Sequence, residues 1–420
     1  MDKAKQKFRL TSLERAWILY DVGNSAFVLL VATLIPIFFN ALAEGGGLSS
    51  VEYLAYWGYA ASAVTVITAV LSPILGTLAD TRNYKKPIFT FCVAVGVIGC
   101  CAMGMASTWL PFLLIFIFAK VGFSGSLVFY DSMLSDVTVP DRMDEVSSKG
   151  YAWGYIGSCV PFVVCLALVL GAGSIGISQM TALNLALFIT AVWWLVTTLP
   201  LLRQYKQVHF VEVQEHAIRQ SFARIGHTLR HLKEDRQVFW FLLAFFCYID
   251  GVYTIIDMAT AYGTALGLDT TGLLLALLVT QIVAFPSALV FGRLSGQYPS
   301  GTLIPVCIAA YAGIALFAFF LKHQWQFWVL AVVVGMFQGA IQALSRSYFA
   351  RIIPPEKSGE YFGIYDICGK GASFMGTMLV GAVAQLTGAA NAGVGAIAVL
   401  FVIGFLLFWK AAKLNAARRA

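Results

Sequence analysis

Long apolar runs separated by short charged turns recur along the whole chain, and no strand-like alternation of apolar and polar positions competes with them. A helix needs roughly 20 apolar residues to cross a hydrocarbon core. Twelve runs meet that requirement, at 14–42, 52–79, 87–107, 110–134, 147–172, 180–201, 237–264, 270–291, 301–321, 326–350, 360–386 and 390–411. Irregular backbone cannot face lipid, because its polar groups would go unsatisfied. The pattern therefore predicts an all-α membrane protein, a bundle of twelve transmembrane helices.

The longest polar stretch divides the spans six and six. It predicts an N-terminal bundle at 1–201, a linker at 202–236 and a C-terminal bundle at 237–420. Within the linker, Ile218, Phe222, Ile225, Leu229 and Leu232 recur at steps of 4, 3, 4 and 3, with Arg219, Arg224, Arg230 and Lys233 between them. This spacing predicts an amphipathic helix on the membrane surface, read as a simple connector with a regulatory role as the sharper alternative.

Composition agrees. Of 420 residues 59% are hydrophobic and 12% charged, against about 25% charged in soluble domains. The net charge of +7 does not point to nucleic acid, because the basic residues sit in turns between spans. With the N-terminus inside, 25 of the 28 Lys and Arg residues fall on the inner side. Basic loops favour the cytoplasm, so both termini are expected there. The first apolar run is too long for a signal peptide and is expected to remain as the first span. The eight cysteines show neither metal-ligand nor disulfide spacing, and they read as small buried hydrophobes. HExxH, GxSxG and Walker A motifs do not occur. No enzyme activity, ATP-driven pumping, metal or cofactor is expected.

Two segments echo each other between the halves. YDSMLSDVTVPDRMDEVSSKGYAWGY (130–155) and ALSRSYFARIIPPEKSGEYFGIY (343–365) each run from a polar helix end, through proline and a charged turn, into a span that opens with Gly and aromatics. Parallel six-span repeats are typical of one transporter class. The stretch SPILGTLADTRNYKK (72–86) closes the second span. With Gly76, Leu78, Ala79, Asp80 and Lys85 it resembles the G-x-L-A-D-R-x-G-R-K loop of the major facilitator superfamily, and Thr81, Asn83 and Tyr84 depart from that pattern. Asn83 tolerates a left-handed turn where the pattern has Gly. A narrower resemblance rests on ERAWILYDVGNSAF (14–27), SSKGYAWGYIGS (147–158) and residues 335–376. These are similar to the branch that holds the autophagy-associated vacuolar effluxers and their bacterial relatives, whose fungal members are linked to amino-acid efflux. The resemblance implies two pseudo-symmetric six-helix bundles, alternating access and gate roles for Gly76, Asp80 and Arg82.

Charges inside spans are expensive and mark pathways or pairs. Asp21 and Asn24 form a polar face in the first span. In the fourth, Lys120, Ser124 and Asp131 share a face, and Asp131, nearer the cytoplasmic end, is assigned with Arg346 to the gate. The seventh span presents Asp250, Tyr253 and Asp257 along one face, with a static Asp250–Lys120 pair as the structural alternative. Gln338 and Gln342 line the tenth span, and Asp366 and Lys370 in the eleventh read as a self-neutralising i,i+4 pair. Trp153 and Tyr155 read as packing or interface anchors, with cavity lining as the alternative.

These placements predict a secondary transporter for a small polar or zwitterionic, amino-acid-like solute. Lys120, Asp250, Tyr253, Gln338, Gln342 and Asn24 are expected to bind it, and Asp21 and Asp257 to couple it to protons or another ion. A larger amphiphile (lipid, drug or siderophore) and a non-transporting nutrient sensor are the alternatives. The expected setting is a monomer in the lipid bilayer of a bacterial inner membrane, or of a vacuole if eukaryotic, with no nucleic-acid partner.

Overall fold

The computed structural model describes residues 9–212, 226, 228, 230, 232–265 and 267–419. Among the described residues the chain is helical apart from turns and an isolated bridge between Thr81 and Val211. Twelve helices are long and apolar enough to span a membrane. In chain order, α1 runs Ser12–Ala32 and resumes as Leu34–Gly45, α2 is Ser50–Ala79, α3 Lys85–Met103, α4 Trp109–Ser132, α5 Met143–Leu170 and α6 Gln179–Gln204. The second set is α7 Arg236–Ala265, α8 Thr270–Leu294, α9 Ser300–Phe319, α10 Gln324–Ile352, α11 Ser358–Thr387 and α12 Ala390–Arg419. The amphipathic helix expected around Ile218, Phe222, Ile225 and Leu229 lies outside the described residues.

Each set of six forms a bundle, and the packing repeats. α1 lies against α5 and α6 as α7 lies against α11 and α12, and α3 pairs with α4 as α9 pairs with α10. Between the bundles, α2 crosses α11 and α5 crosses α8, two equivalent seams; α4–α11 and α5–α10 form the inner pair. The echo read in the sequence becomes two matching corners. A 3-10 turn at Pro140–Arg142 leads into α5, and one at Pro355–Lys357 leads into α11.

Local chemistry sets the helix ends. At Thr11 and Ser49 capping boxes start α1 and α2: each hydroxyl accepts the N–H three residues on, from Glu14 or Glu52, whose carboxylate accepts the cap N–H in return. The first span is not the continuous helix expected over 14–42. It breaks at Thr33, whose hydroxyl bonds the Leu29 carbonyl at 2.6 Å. Pro36 contributes, because it has no N–H to donate to the Ala32 carbonyl four residues back and its ring crowds that oxygen, though other helices run unbroken through Pro73, Pro161, Pro200, Pro286 and Pro305. Elsewhere helix outruns the apolar ruler: α5 begins at Met143 rather than 147, and α12 continues to Arg419 rather than 411. Polar residues beyond the hydrocarbon do not stop a helix. Asn83 adopts φ 65°, the left-handed turn expected between α2 and α3.

Where the bundles cross, side chains all but vanish. A Cβ on Gly76 would stand 2.2 Å from the Gly359 carbonyl oxygen, and one on Gly359 would stand 2.5 Å from that of Gly76. Small residues let helix backbones touch in a membrane, and here neither contact atom is on a flexible side chain. Gly76→Ala should therefore push α11 off α2. Maleimide labelling of a cysteine introduced at buried Ser358 should become faster in this variant, and unchanged labelling would mean that the crossing does not hold the face shut.

Candidate functional site

The hydrogen bonds that join the bundles gather toward the face that carries the α2–α3 and α10–α11 turns and the chain's two ends, here called the terminal face. Its outermost lock is Asp80, fully buried, which accepts the N–H groups of Gly359 at 2.7 Å and Glu360 at 2.8 Å in the first turn of α11. Those N–H groups have no partner within the helix and carry its positive pole. Lys85, also fully buried, lies 3.5 Å from Asp80 and 3.9 Å from Asp136 and donates to Ser358 Oγ at 2.8 Å. Burial pushes the Asp80 carboxyl up to about 6, against the pull of Lys85 and the two N–H groups.

Asp136 ties the linker to this lock. It accepts the Tyr205 hydroxyl at 2.6 Å and the His209 N–H at 2.9 Å, and it meets the His209 ring at 2.9 Å. Gln207 donates to the Ala79 carbonyl at 3.0 Å, Val211 to the Asp80 carbonyl at 2.8 Å, and Arg82 N–H to the Val211 carbonyl at 3.0 Å. Burial acts to raise the Asp136 carboxyl, but the His209 bond, the Lys85 charge and the Tyr205 hydroxyl outweigh it, and the group lies below the usual aspartate range. The same bond holds His209 above its ordinary value. Arg82 does not reach α11. It is exposed, 3.4 Å from Glu212 and 4.9 Å over the Phe210 ring, so it braces the linker instead.

A second layer belongs to α10. Arg351 makes a forked pair with Asp144 on α5 at 2.7 and 2.8 Å, and Ser347 bonds the same carboxylate. Arg346, 2% exposed, enters the first bundle outright. It donates through Nη1 to Asp131 at 2.9 Å and through Nε to Ser147 Oγ at 2.9 Å. Nη2 donates to the Ser147 carbonyl at 3.0 Å and lies 3.8 Å from Asp21. Its guanidinium carbon sits 4.7, 5.3 and 4.4 Å from the rings of Trp17, Tyr130 and Tyr151. Tyr130 in turn donates to Asp21 at 3.0 Å. A Cβ on Gly150 would come within 3.2 Å of Asp21, Trp17 and Arg346 at once, so the absence of a side chain there makes room for the guanidinium. Stripping one member from a buried ion pair costs about 3–5 kcal/mol.

Farther from the terminal face, Lys370 and Asp366 pair at 2.6 Å, and Ser72 of α2 donates to Asp366 at 2.8 Å. Lys370 lies about 16 Å along α11 from Gly359, at 1.5 Å per residue. Lys120 lies 4.8 Å from the Phe123 ring centre and 6.0 Å from that of Phe27. Its electrostatic partners from the second bundle are Asp257 and, with like charge, Lys370. Asp257 is exposed within its span, and Tyr253 is half-buried among Asp131, Asp257 and Asp366.

Lys120 is not paired with Asp250. That carboxylate, 1% exposed, accepts the backbone N–H of Gly376 at 2.8 Å and the Thr254 hydroxyl at 3.4 Å, which joins α7 to α11 inside the second bundle. One further residue proposed for the solute is also turned to local partners. Asn24 is buried, with its amide on the Tyr20 carbonyl at 3.1 Å and on Asp21 at 3.5 Å; Gln338 is buried. Gln342 lies buried on the same helix, four residues before Arg346. Trp153 packs on Phe285 at the α5–α8 seam and is exposed outward.

Lys85, Asp136, His209, Trp17, Tyr130 and Tyr151 were not singled out from sequence. Lys85 stood within the loop pattern, and Trp17 and Tyr151 stood inside the blocks of the narrower resemblance. Tyr130 and Asp136 stood inside the echoing segment 130–155, which did not distinguish them from their neighbours; nothing in the one-dimensional pattern marked His209, because its importance comes from a fold-back of the linker.

The family described as "Vacuole effluxer Atg22 like" matches residues 12–420. The chain is 42% identical over 404 residues to the uncharacterized MFS-type transporter YxiO of Bacillus subtilis (strain 168), covering 95% of this chain and 94% of that one. It is 24% identical over 430 residues to autophagy-related protein 22 of Coccidioides immitis (strain RS), covering 82% of this chain and 70% of that one. Among solved structures, the human organic anion transporter MFSD10 superposes with a TM-score of 0.73 at 13% identity, covering 94% of this chain and 98% of that one. The proton:xylose symporter XylE superposes with 0.71 at 12%, covering 95% and 94%. At those identities the likeness carries the fold alone.

The His209–Asp136 contact has a pH window. His209 is raised, so its contribution is complete below the ordinary histidine value of 6.5 and is lost as pH rises through its own value. Asp136 is lowered, so its contribution is present above the ordinary aspartate value of 3.8 and is lost as pH falls through its own. Protection of the His209 and Val211 amides, corrected for intrinsic exchange, should therefore fall on the alkaline side in the wild-type protein. In His209→Ala it should be low and flat across neutral pH.

Proposed function

Because the chain belongs to the Atg22-like vacuole effluxer family of major facilitator transporters, we propose that it carries a small zwitterionic, amino-acid-like solute by alternating access, coupled to protons. The observation that supports this reading is the opposition of Lys120 on the first bundle and Asp257 on the second, each feeling the other's charge. Lys120 suits the solute's carboxylate and Asp257 its ammonium. A proton and that ammonium compete for one carboxylate, so solute and proton travel in opposite directions. Lys370, held by Asp366, keeps the surrounding charge balanced. The Phe27 and Phe123 rings beside Lys120 favour a second reading, an amphiphile with an acidic head.

In this proposal the protein acts as a monomer in a bacterial inner membrane with its terminal face in the cytoplasm, as the distribution of Lys and Arg favours. The conformation described, shut at that face, is then the outward-facing one. Asp80 and Arg346 act on switching, and Lys120 and Asp257 on the solute. The gate residues Gly76, Asp80, Asp131 and Arg346 all lie on contacts that opening must break.

Proteoliposomes offered amino acids with and without a pH gradient test the reading, and unsaturable, gradient-independent flux overturns it. Lys120→Ala and Asp257→Asn should each weaken apparent affinity about 10- to 100-fold, matching a lost charge-assisted contact of about 1.5–3 kcal/mol. Asp257→Asn should also abolish the dependence on the gradient. Asp80→Asn should slow transport and leave equilibrium solute affinity nearly intact; a large loss of affinity would put Asp80 in the binding site instead.

A further inference from the structure

Trp17, Asp21, Tyr130, Asp131, Ser147 and Tyr151 all belong to the first bundle, yet the charge they enclose belongs to the second. Their arrangement holds itself together without that charge. Trp17 donates its ring N–H to the Tyr130 carbonyl at 3.0 Å, the two rings stack at 4.3 Å with 16° between planes, and the Tyr130 hydroxyl holds Asp21. When the bundles separate at the terminal face, Arg346 must leave with α10. It would leave behind two carboxylates walled by aromatic rings in a recess shaped to a planar cation. Negative charge without a partner in such a place is costly, so the recess favours a positive group in place of the guanidinium.

We infer that this recess is a cation-recognition site of the first bundle, filled by the Arg346 guanidinium when the terminal face is closed and by a small organic cation bearing N–H donors when it is open. Rings at 4.4, 4.7 and 5.3 Å supply quadrupole attraction to any such head group. Asp131 and the Ser147 carbonyl accept its N–H donors, and Asp21 adds charge on the remaining side. Gly150 leaves the volume that the head group needs. The inference extends the alternating-access reading: Arg346 serves as a tethered stand-in that the ammonium end of a solute displaces at the terminal face. The recess is thus distinct from the Lys120–Asp257 pair. It sits at the gate and exchanges its occupant as the gate moves.

The test reads binding without transport, so it can fail while transport of amino acids succeeds, and the reverse. Arg346→Ala empties the recess. Guanidinium at concentrations far below those that denature should raise the melting temperature of this variant saturably, as a ligand bound only to the folded state does. Urea, the neutral analogue of the same shape, should not. Wild-type protein, whose recess is already filled, should give no saturable rise, and adding Trp17→Leu to Arg346→Ala should remove it. If Arg346→Ala cannot be obtained folded, Arg346→Lys replaces it, because the ammonium lacks the planar fork and leaves part of the recess to guanidinium. Recovery of folded Arg346→Ala only when guanidinium is present during purification would also support the site. Indistinguishable effects of guanidinium and urea in the available Arg346 variant would overturn it.

Discussion

A guanidinium cannot shed its charge, and inside a membrane it must be met on every side. Arg346 satisfies this requirement with four hydrogen-bonding or charged partners and three ring faces, all contributed by the opposite bundle. Much of the rest of the chain's arrangement at this depth follows. α1, α4 and α5 must converge, position 150 must lack a side chain, and α10 must lie against α5. The interaction ties α10 of the second bundle to α1, α4 and α5 of the first.

The two locks differ in origin. The outer one uses the loop pattern of the broad superfamily: Asp80 on the free N–H groups of α11, with Gly76 against Gly359. The inner one draws on the three blocks of the narrower resemblance, which contribute Trp17 and Asp21, then Ser147, Gly150 and Tyr151, then Arg346. When the outer contact breaks, Asp80 keeps Lys85 of its own bundle 3.5 Å away, whereas removal of Arg346 strands two carboxylates. The linker adds a third connection: through Asp136 it shares Lys85 with the outer contact, so the segment between the bundles reaches the α2–α11 crossing directly.

Helix-face reasoning was informative for residues along one helix and silent about partners on others. Asp250 and Asp257 lie on one face of α7, yet one is consumed in packing against α11 while the other is exposed in the interior. Seven residues is two turns less about 20°, so small differences in helix rotation and depth separate a structural carboxylate from an accessible one. Arg82 shows the same limit, because its place in the loop pattern suggested α11 whereas the returning linker captures it.

The sequence by itself determined the twelve spans, their six-and-six division, the sided distribution of Lys and Arg, the family and the left-handed turn at Asn83. The spans, their division, the charge distribution and the turn follow from hydrophobic length, charge and local backbone sterics, which act along the chain; the family follows from the resemblance carried by the 72–86 loop and the three longer blocks. The break in α1 was not legible, since Pro73, Pro161, Pro200, Pro286 and Pro305 lie inside helices that continue through them. Only the tertiary structure decided which buried charges meet. Trp17 and Arg346 are 329 residues apart in the chain and Tyr130 lies between them. Their meeting depends on helix crossing and rotation across two bundles, and on the demand that a charge withdrawn from water find an opposite charge or hydrogen-bond partners.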